Sequence, residues 1–332
     1  MPSPAPRAAE LSIDEVRELV ADDMAAADTL LREKLSSEVA LIGQVGHYVI
    51  AGGGKRLRPV IALLSARSLG YAGTRHIDLA VIVELIHTAT LLHDDVVDAS
   101  ELRRGRETAN LVWGNEASVL VGDFLYSRAF QMMVDIGSMR VLETLADATN
   151  VIAEGEVMQL MNCHDPQTTE QRYLHTIRYK TAKLFEAAAR LGALIAESES
   201  PVEEALASYG RHLGTAFQLV DDALDYSASS TEIGKNVGDD LAEGKPTLPL
   251  LCAMWRSPPA QAAIIRDAIV HGGLERIEEI LRAIESTGAI TYTFGLANDE
   301  ARKAREALEA LPPSPHREAL LALTRFAVER KS

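Results

Sequence analysis

The sequence predicts an all-α protein built as one large bundle of helices around a central cavity. Apolar residues recur at spacings of three and four along most of the chain, as at Leu79, Ile82 and Ile86, and this period is typical of helices with one buried face. Helix-start signals separate these stretches, such as SPVE at residues 200–203, with Pro at the first helical position. No alternating strand pattern flanked by hairpin turns is present. With 332 residues, 47% of them hydrophobic, one domain can bury a substantial core.

The organisation along the chain predicts a disordered tail over residues 1–11 and a single all-helical domain over residues 12–332. The tail is rich in Pro and Ala, and no Gly/Ser-rich or Pro-rich linker divides the rest. Ser12 and Glu15 form a capping-box pattern at the start of the first helix. Candidate helices span residues 12–36, 38–50, 57–69, 76–97, 115–135, 139–163, 168–196, 201–227, 247–254, 259–271, 273–287, 290–310 and 315–330.

Bulk composition excludes some classes of partner. The formal net charge of -15 argues against nucleic acid, which needs a basic binding surface, but it does not exclude a phosphorylated substrate held by local cations or metal ions. Cys163 and Cys252 lack CxxC spacing, so a reducing compartment is expected. The N-terminus lacks the apolar segment of a signal peptide and no long apolar run follows, so we expect a cytoplasmic protein without stable membrane insertion.

Two acidic segments carry the first functional signal. LLHDDVVD at residues 91–98 and FQLVDDALD at residues 217–225 each place the pattern D-D-x-x-D at the end of an apolar helical stretch. Residues four apart share a helix face, where like charges cost roughly 0.2–0.5 kcal/mol unless a cation lies between them. Carboxylates without His or Cys indicate Mg²⁺, or Mn²⁺, rather than zinc. The candidate ligands are Asp94, Asp95 and Asp98 in the first aspartate motif, and Asp221, Asp222 and Asp225 in the second.

The alternative interpretation of each motif is a solvated acidic helix end. One motif alone would not separate the two interpretations. Two motifs, each after a stretch that should face a core, favour metal binding. An EF-hand is excluded, because the aspartate spacing, the glycine and the terminal glutamate of that loop are missing.

Basic residues accompany the aspartates. GGGKRLRP at residues 52–59 lies between two predicted helices, where glycines allow close backbone approach and the cations suit an anion such as diphosphate. It is not a Walker A loop, which continues to a second Gly followed by Lys and Ser or Thr. A flexible turn with solvated cations is the alternative. Further cations follow the aspartate motifs or lie between them, at Arg103, Arg104, Lys180, Lys235 and Lys245.

From residue 12 onward the chain resembles the trans-isoprenyl diphosphate synthases. The stretches HTATLLHDDVVD, EASVLVGDF, NVIAEGEVMQL, GTAFQLVDD and GKNVGDDLAEGKPTLPLL carry the resemblance. It is strongest to the bacterial octaprenyl branch of that family, whose product becomes the ubiquinone side chain. The resemblance implies the isoprenoid synthase fold, a homodimer, and Mg²⁺-dependent condensation of isopentenyl diphosphate with an allylic diphosphate such as farnesyl diphosphate.

The resemblance also implies a role for each candidate residue. The aspartates of both motifs would hold three Mg²⁺ ions on the allylic diphosphate. The backbone carbonyl of Lys180 and the Thr181 hydroxyl would stabilise an allylic carbocation, with Gln218 near both substrates and the departing diphosphate taking the proton. The residues implied to contact the allylic diphosphate are Arg103, Lys180, Lys235 and Lys245. Those implied to contact isopentenyl diphosphate are Lys55, Arg58, His87, Arg104 and the Arg330-Lys331 tail. The loop implied to close over the site contains Asp239, Asp240 and Lys245.

Side chains upstream of the first motif predict a long product. Ala89 lies five residues before Asp94, which is roughly 7.5 Å along a helix, and small residues at Ala89 and Thr90 would leave a tunnel open for the growing chain. Short-chain relatives carry aromatics there, and the bacterial short-chain enzymes usually have four residues, rather than two, inside the first motif. Phe130 and Met133 are the candidate tunnel floor. Alternatively, the small residues only let neighbouring helices pack closely.

Three rival functions remain open. A medium-chain synthase making geranylgeranyl or farnesyl diphosphate is the alternative within the same family. A class I terpene cyclase shares the fold and the first motif, but normally lacks a second aspartate-rich motif and a second diphosphate site. A non-catalytic partner subunit would have lost the aspartate motifs, and this chain keeps both.

Overall fold

The computed structural model describes residues 11–227 and 238–330. Within these ranges the chain forms helices joined by short loops, plus one hairpin of β1 Leu102–Arg103 and β2 Arg106–Glu107, so the all-α prediction is confirmed. The first helices are α1 Ile13–Glu18, α2 Ala21–Lys34, α3 Ala40–Ala51, α4 Leu57–Ser68, α5 Arg75–Val97, α6 Ala109–Trp113, α7 Asn115–Ile136, α8 Met139–Asn162, α9 Glu170–Ile177 and α10 Lys183–Ile195. The later ones are α11 Ser200–Asp225, α12 Asp239–Ala242, α13 Leu248–Arg256, α14 Pro259–His271, α15 Ile277–Ser286, α16 Ala289–Ala307 and α17 Pro315–Glu329.

Helix α5 is a core helix, and its last turn carries the first aspartate motif. Leu79, Ile82 and Ile86 are at most 1% exposed, as the apolar period predicts. By length and composition α5 could cross a membrane, but 67% of its most apolar window is buried inside the fold. That burial is typical of the central helix of a water-soluble protein.

Helix α10 packs closely against both α4 and α11. A Cβ added to Gly192 would lie 2.4 Å from the Cβ of Ser65 on α4, and one added to Gly210 on α11 would lie 2.3 Å from the Phe185 carbonyl oxygen. Any side chain at these positions would push the helices apart. The two glycines therefore fix α11, whose end carries the second aspartate motif, against α10 and α4.

The helix predicted over residues 168–196 is interrupted in the structure. Helix α9 ends at Ile177, and Arg178–Ala182 form a π-helical turn before α10 begins. Single π-helical turns are frequent at functional sites, and this one contains Lys180 and Thr181. Apolar periodicity does not reveal one turn of different pitch, and it also missed the five-residue helix α6. The predicted tail lies outside the described residues except for residue 11.

Candidate active site

Both aspartate motifs lie at the C-terminal ends of long helices and face one cavity. The first motif ends α5 and the second ends α11. Asp94 and Asp98 from the first motif, with Asp221 and Asp222 from the second, line a cavity of about 250 Å³. Segments that are far apart in the sequence therefore meet at one place. Further lining residues include Arg103, Gln159, Asn162, Thr168, Tyr173, Lys180, Thr181, Gln218, Asp240 and Lys245.

Each carboxylate of the first aspartate motif lies beside one cation. These cations are three of the four predicted to contact the allylic diphosphate; the fourth, Lys235, lies outside the described residues. The pairs are Lys180 Nζ with Asp94 Oδ2 at 3.4 Å, Arg103 Nη2 with Asp95 Oδ1 at 2.7 Å, and Lys245 Nζ with Asp98 Oδ2 at 2.7 Å.

The second aspartate motif has the same residue pattern but different partners. Asp222 is 3% exposed and accepts hydrogen bonds from two neutral groups, the Tyr173 hydroxyl at 2.5 Å and Gln218 Nε2 at 2.7 Å. Asp225 accepts a hydrogen bond from the backbone N–H of Asp240 at 3.3 Å. Tyr173 was not predicted from the sequence, because an isolated tyrosine far from either motif carries no signal of its own.

A cation from the end of the chain lies beside Asp221. Arg330 Nη1 is 3.0 Å from Asp221 Oδ1, and Nη2 donates to the Phe217 carbonyl at 2.6 Å. The guanidinium also lies 3.8 Å above the Phe217 ring, and the Arg330 side chain is 3% exposed. Arg330, implied by the resemblance to approach isopentenyl diphosphate, therefore contacts the second aspartate motif. Lys331 lies outside the described residues.

Burial changes the acidity of the second motif. Removal from water, with added repulsion from Asp240, raises the pKa of Asp222 well above its usual range. The same two causes raise the pKa of Asp225 to about 8. In the first motif burial raises the pKa of Asp95, while the charge of Arg103 opposes that rise. Burial therefore favours the protonated form of both carboxyl groups.

The residues expected to act on the reacting carbons lie together. Thr181 Oγ1 donates to Gln218 Oε1 at 3.0 Å. Lys180 precedes Thr181 in the π-helical turn, and its Nζ lies 2.5 Å from Glu156 Oε2. Burial raises the pKa of Glu156 to about 7, although Lys180 opposes the rise. Glu156 was missed from the sequence, where its only signal was its place in the stretch NVIAEGEVMQL.

The glycine-rich loop before α4 forms a second, basic cluster. Arg58 Nη1 lies 3.1 Å from His87 Nε2 on α5, and the Arg58 guanidinium lies 4.4 Å above the Phe185 ring. Arg104 reaches the cluster from the hairpin: a Cβ at Gly54, whose φ is +145°, would lie 2.5 Å from Arg104 Nη1. Glycine is therefore needed at this position to admit the guanidinium. Three of the residues predicted to bind isopentenyl diphosphate are thus neighbours.

A buried carboxylate balances the basic cluster. Glu84 on α5, which the sequence did not single out, accepts a hydrogen bond from Arg56 Nη1 at 2.8 Å. Burial raises the pKa of Glu84, although the neighbouring arginines oppose it. Burial, followed by the surrounding positive charge, lowers the pKa of His87, so the imidazole is neutral beside the guanidinium groups. Lys55 Nζ lies 5.5 Å from the centre of the Phe326 ring.

The residues predicted to control chain length lie away from the cavity. Ala89 is fully buried, and Thr90 Oγ1 donates to the His87 carbonyl at 2.7 Å. Met133 is 1% exposed, whereas Phe130 is 38% exposed. None of Ala89, Thr90, Phe130 and Met133 is among the residues that line the described cavity. Their role in product length stays a prediction.

Two aromatic side chains near Asp94, His93 and Tyr126, were not predicted from the sequence. The His93 ring stacks on Tyr126 of α7 with ring centroids 5.9 Å apart. It also packs against Gly122, where a Cβ would lie 2.3 Å from His93 Nε2. Burial raises the pKa of Tyr126 to about 12, with Asp94 and Glu156 adding to the rise. The phenol is therefore close to both carboxylates, at the junction of α5 and α7.

The chemistry of the donors fits a hard divalent cation. Within residues 11–227 and 238–330, no three His, Cys, Asp or Glu side chains converge as a preformed metal site. Mg²⁺ does not need one, because it binds one or two carboxylates and completes its shell with water and phosphate oxygens. The cavity supplies such carboxylates without a thiolate or imidazole. The site therefore suits a metal ion that arrives with a diphosphate.

Known proteins share the sequence and the fold of this chain. Residues 39–286 match the polyprenyl synthetase family model. The chain belongs to the polyprenyl synthetase family. It is 54% identical over 321 residues to the octaprenyl diphosphate synthase of Escherichia coli (strain K12), covering 96% of this chain and 99% of that protein. It is 47% identical over 312 residues to the all-trans-nonaprenyl-diphosphate synthase (geranyl-diphosphate specific) of Rhodobacter capsulatus, covering 94% and 96%.

A solved relative extends the likeness to three dimensions. The polyprenyl synthase from Caulobacter crescentus CB15, complexed with calcium and isoprenyl diphosphate, has a TM-score of 0.93 and 47% sequence identity. The match covers 98% of this chain and 100% of that one. The resemblance read from the motifs is confirmed, and the chain is a prenyltransferase with the all-α isoprenoid synthase fold.

Proposed function

We propose that this prenyltransferase is a long-chain trans-polyprenyl diphosphate synthase that makes octaprenyl diphosphate for a quinone side chain. It condenses isopentenyl diphosphate head-to-tail with an allylic diphosphate such as farnesyl diphosphate. The observation that carries the proposal is two aspartate motifs facing one cavity, with a separate cluster of arginines beside it. The 54% identity to the octaprenyl diphosphate synthase of Escherichia coli supports the product class.

The cavity between the motifs is the proposed allylic diphosphate site. Bound Mg²⁺, or Mn²⁺, would draw charge from the diphosphate and make it a better leaving group. Arg103, Lys180 and Lys245 line the cavity and add positive charge where the leaving group develops negative charge. Lys235 joins them in this proposal. The proposed ligands of three ions are Asp94, Asp95, Asp98, Asp221, Asp222 and Asp225.

The π-helical turn is the proposed place of carbon–carbon bond formation. When diphosphate leaves, the allylic carbon becomes cationic, and the Lys180 carbonyl and Thr181 hydroxyl oxygens can stabilise it. The double bond of isopentenyl diphosphate attacks that carbon, and the departed diphosphate takes the proton. The hydrogen bond from Thr181 to Gln218 supports a fixed orientation of both side chains.

The basic cluster is the proposed isopentenyl diphosphate site. Arg58, Arg104 and Lys55 supply charge, and neutral His87 supplies a ring nitrogen beside Arg58. Because Glu84 neutralises part of the cluster, the remaining charge suits one diphosphate without a metal ion. Arginine guanidinium groups match phosphate oxygens in pairs, which gives geometric selectivity.

The protein is proposed to be a cytoplasmic homodimer built from a single domain per chain. Its exposed apolar side chains support a second copy as partner: Leu111 on α6 is 50% exposed, and Leu120 and Val134 on α7 are each 66% exposed. A surface of this kind commonly marks an interface. Sedimentation should give twice the chain mass, and Leu120→Glu should shift it toward the single chain.

Product-length analysis tests the proposed function. The pure protein, incubated with labelled isopentenyl diphosphate, farnesyl diphosphate and Mg²⁺, should give octaprenyl products on reversed-phase chromatography after dephosphorylation. Products ending at geranylgeranyl length would identify a medium-chain synthase, and a cyclic hydrocarbon would identify a cyclase. Absence of diphosphate release would contradict the enzyme assignment altogether.

The chain-length proposal has its own variants. Ala89→Phe should truncate the product toward the short-chain class while leaving the first condensation intact. Phe130→Ala should lengthen or broaden the product distribution, with Met133 as the second candidate for the tunnel floor. Wild-type product length from Ala89→Phe would show that the growing chain does not pass this face of α5.

A further inference from the structure

We propose that Gly155 and Glu156 of α8 form a clamp that positions Lys180 and holds its ammonium group nearer to Glu156 than to Asp94. We call these two residues the Lys180 clamp. The inference rests on the proposed function, which assigns Lys180 to the allylic diphosphate and Asp94 to the metal ions. It adds a positioning role for two residues outside the aspartate motifs and the basic cluster.

The first half of the clamp acts on the backbone. A Cβ added to Gly155 would lie 2.4 Å from the Lys180 nitrogen and 2.8 Å from its Cα. Real Cβ atoms do not approach a backbone so closely, so any other residue would push α8 away from the π-helical turn. Gly155 therefore sets the distance between α8 and the segment that presents the Lys180 carbonyl.

The second half acts on the side chain. Lys180 Nζ lies 2.5 Å from Glu156 Oε2 and 3.4 Å from Asp94 Oδ2. The three side chains are 17%, 28% and 16% exposed, in the order Lys180, Glu156 and Asp94. Two carboxylates thus compete for one ammonium group in a partly desolvated site, where such attractions are stronger than in water. The shorter contact shows that Glu156 holds the ammonium.

Glu156 is placed for this one interaction. Its other oxygen, Oε1, is buried and has no hydrogen-bond partner among the described residues. Burying a carboxylate oxygen without a partner carries a cost, which the contact with Lys180 offsets. Without Glu156, the nearest carboxylate to Lys180 would be Asp94. The ammonium group could then approach Asp94 Oδ2 more closely than the present 3.4 Å and compete with a metal ion for that oxygen.

Metal-dependent binding of inorganic diphosphate tests the clamp without turnover. Calorimetric titration of the full-length protein with Mg²⁺ and inorganic diphosphate measures the half-saturating Mg²⁺ concentration. In Glu156→Gln that concentration should rise roughly 3–10-fold, because Lys180 then competes for Asp94. Glu156→Asp keeps the charge and should restore part of the loss. The matched control is Glu154→Gln. Glu154 lies two residues before Glu156 on α8, and its exposed carboxylate accepts a hydrogen bond from Asn150 Nδ2 at 3.0 Å.

A double-mutant cycle separates positioning from general damage to the fold. In a Lys180→Gln background, Glu156→Gln should have no further effect on the Mg²⁺ requirement, because the competitor is gone. An unchanged requirement in Glu156→Gln, or the same rise in both backgrounds, would overturn the clamp. If Glu156→Gln does not fold, the smaller rise expected of Glu156→Asp decides instead, and its absence overturns the proposal. A wild-type protein that binds Mg²⁺ and diphosphate but makes no polyprenyl product would overturn the proposed function, not the clamp.

Discussion

The two aspartate motifs share one residue pattern and one position, the end of a long helix, yet their surroundings differ. In the first motif every carboxylate lies beside a cation from another segment. In the second motif Asp222 and Asp225 accept hydrogen bonds from neutral donors within the described residues. Among the residues that the structure describes, Asp221 is the one member of this motif with a cation beside it, Arg330.

This difference shows how identical motifs can enter the reaction in different charge states. The negative charge of the first motif is balanced by the protein's own cations. In the second motif burial raises the pKa of Asp222 and Asp225, which favours their uncharged forms. In the proposed function, metal ions would therefore compete with ammonium and guanidinium groups at one motif and with protons at the other.

The largest expected effect is on turnover, and it should be shared by both motifs. Asp94→Ala and Asp221→Ala should each lower kcat by at least roughly 100-fold, because each removes a proposed metal ligand. Thermal unfolding should show a retained fold, since neither change creates a core cavity. Normal turnover in either variant would show that the mutated motif is not part of the active site.

The pH dependence of stability should separate the motifs. The pKa of Asp225 is about 8 in the fold and about 3.9 in an unfolded chain, so the folded state binds the extra proton between these values. Its contribution to stability is full below pH 4 and is lost as the pH rises toward 8. Without metal, Asp225→Asn should match the wild type near pH 4 and exceed it by more than about 1 kcal/mol at pH 8. Denaturant unfolding at both pH values measures the free energy of unfolding of each protein. The same difference between variant and wild type at pH 4 and at pH 8 would contradict the raised pKa of Asp225.

Paired carboxamide substitutions should have opposite consequences in the two motifs. Asp95→Asn removes the charge that Arg103 contacts at 2.7 Å and should destabilise the metal-free protein by about 1–2 kcal/mol. Asp222→Asn replaces a carboxyl group whose protonated form burial favours, so stability should change by less than about 1 kcal/mol. Urea titration at pH 7 compares the two. Equal losses would mean that the motifs have the same charge state.

The smallest expected effect concerns a neutral donor. Tyr173→Phe removes the hydroxyl that donates to Asp222 at 2.5 Å and should cost about 1 kcal/mol of stability, with a modest fall in kcat. Tyr292→Phe is the matched control, because it removes a hydroxyl bonded to Glu170 at 2.7 Å on another part of the surface. If both variants keep full activity, Tyr173 has no part in orienting Asp222.

The fold class and the candidate metal ligands could be predicted from patterns of neighbouring residues in the sequence. Helical periodicity at Leu79, Ile82 and Ile86 reports which face is buried, and a D-D-x-x-D pattern puts two carboxylates on one face, wherever the helix packs. The glycine-rich loop likewise predicted an anion site. In the structure Arg58 and Arg104 lie there together with His87.

The partners of the aspartates could not be read in this way. Glu156, Tyr173 and Arg330 come from three different helices or their ends, and only the packing of the bundle brings them beside Lys180, Asp222 and Asp221, respectively. The π-helical turn at Lys180 was hidden for another reason. Gly155 of α8 packs closely against this turn, and the apolar period of the turn's own residues carries no information about such a contact.

Proton release on metal binding tests the difference between the motifs most directly. Calorimetry at pH 7 in buffers of different ionisation enthalpy, with Mg²⁺ and inorganic diphosphate as ligands, counts the protons that leave the complex. The wild type should release about one proton more than Asp225→Asn, because that proton resides on Asp225 before metal binds. Equal proton release from the two proteins would show that the second motif is already ionised, and would contradict the contrast drawn between the motifs.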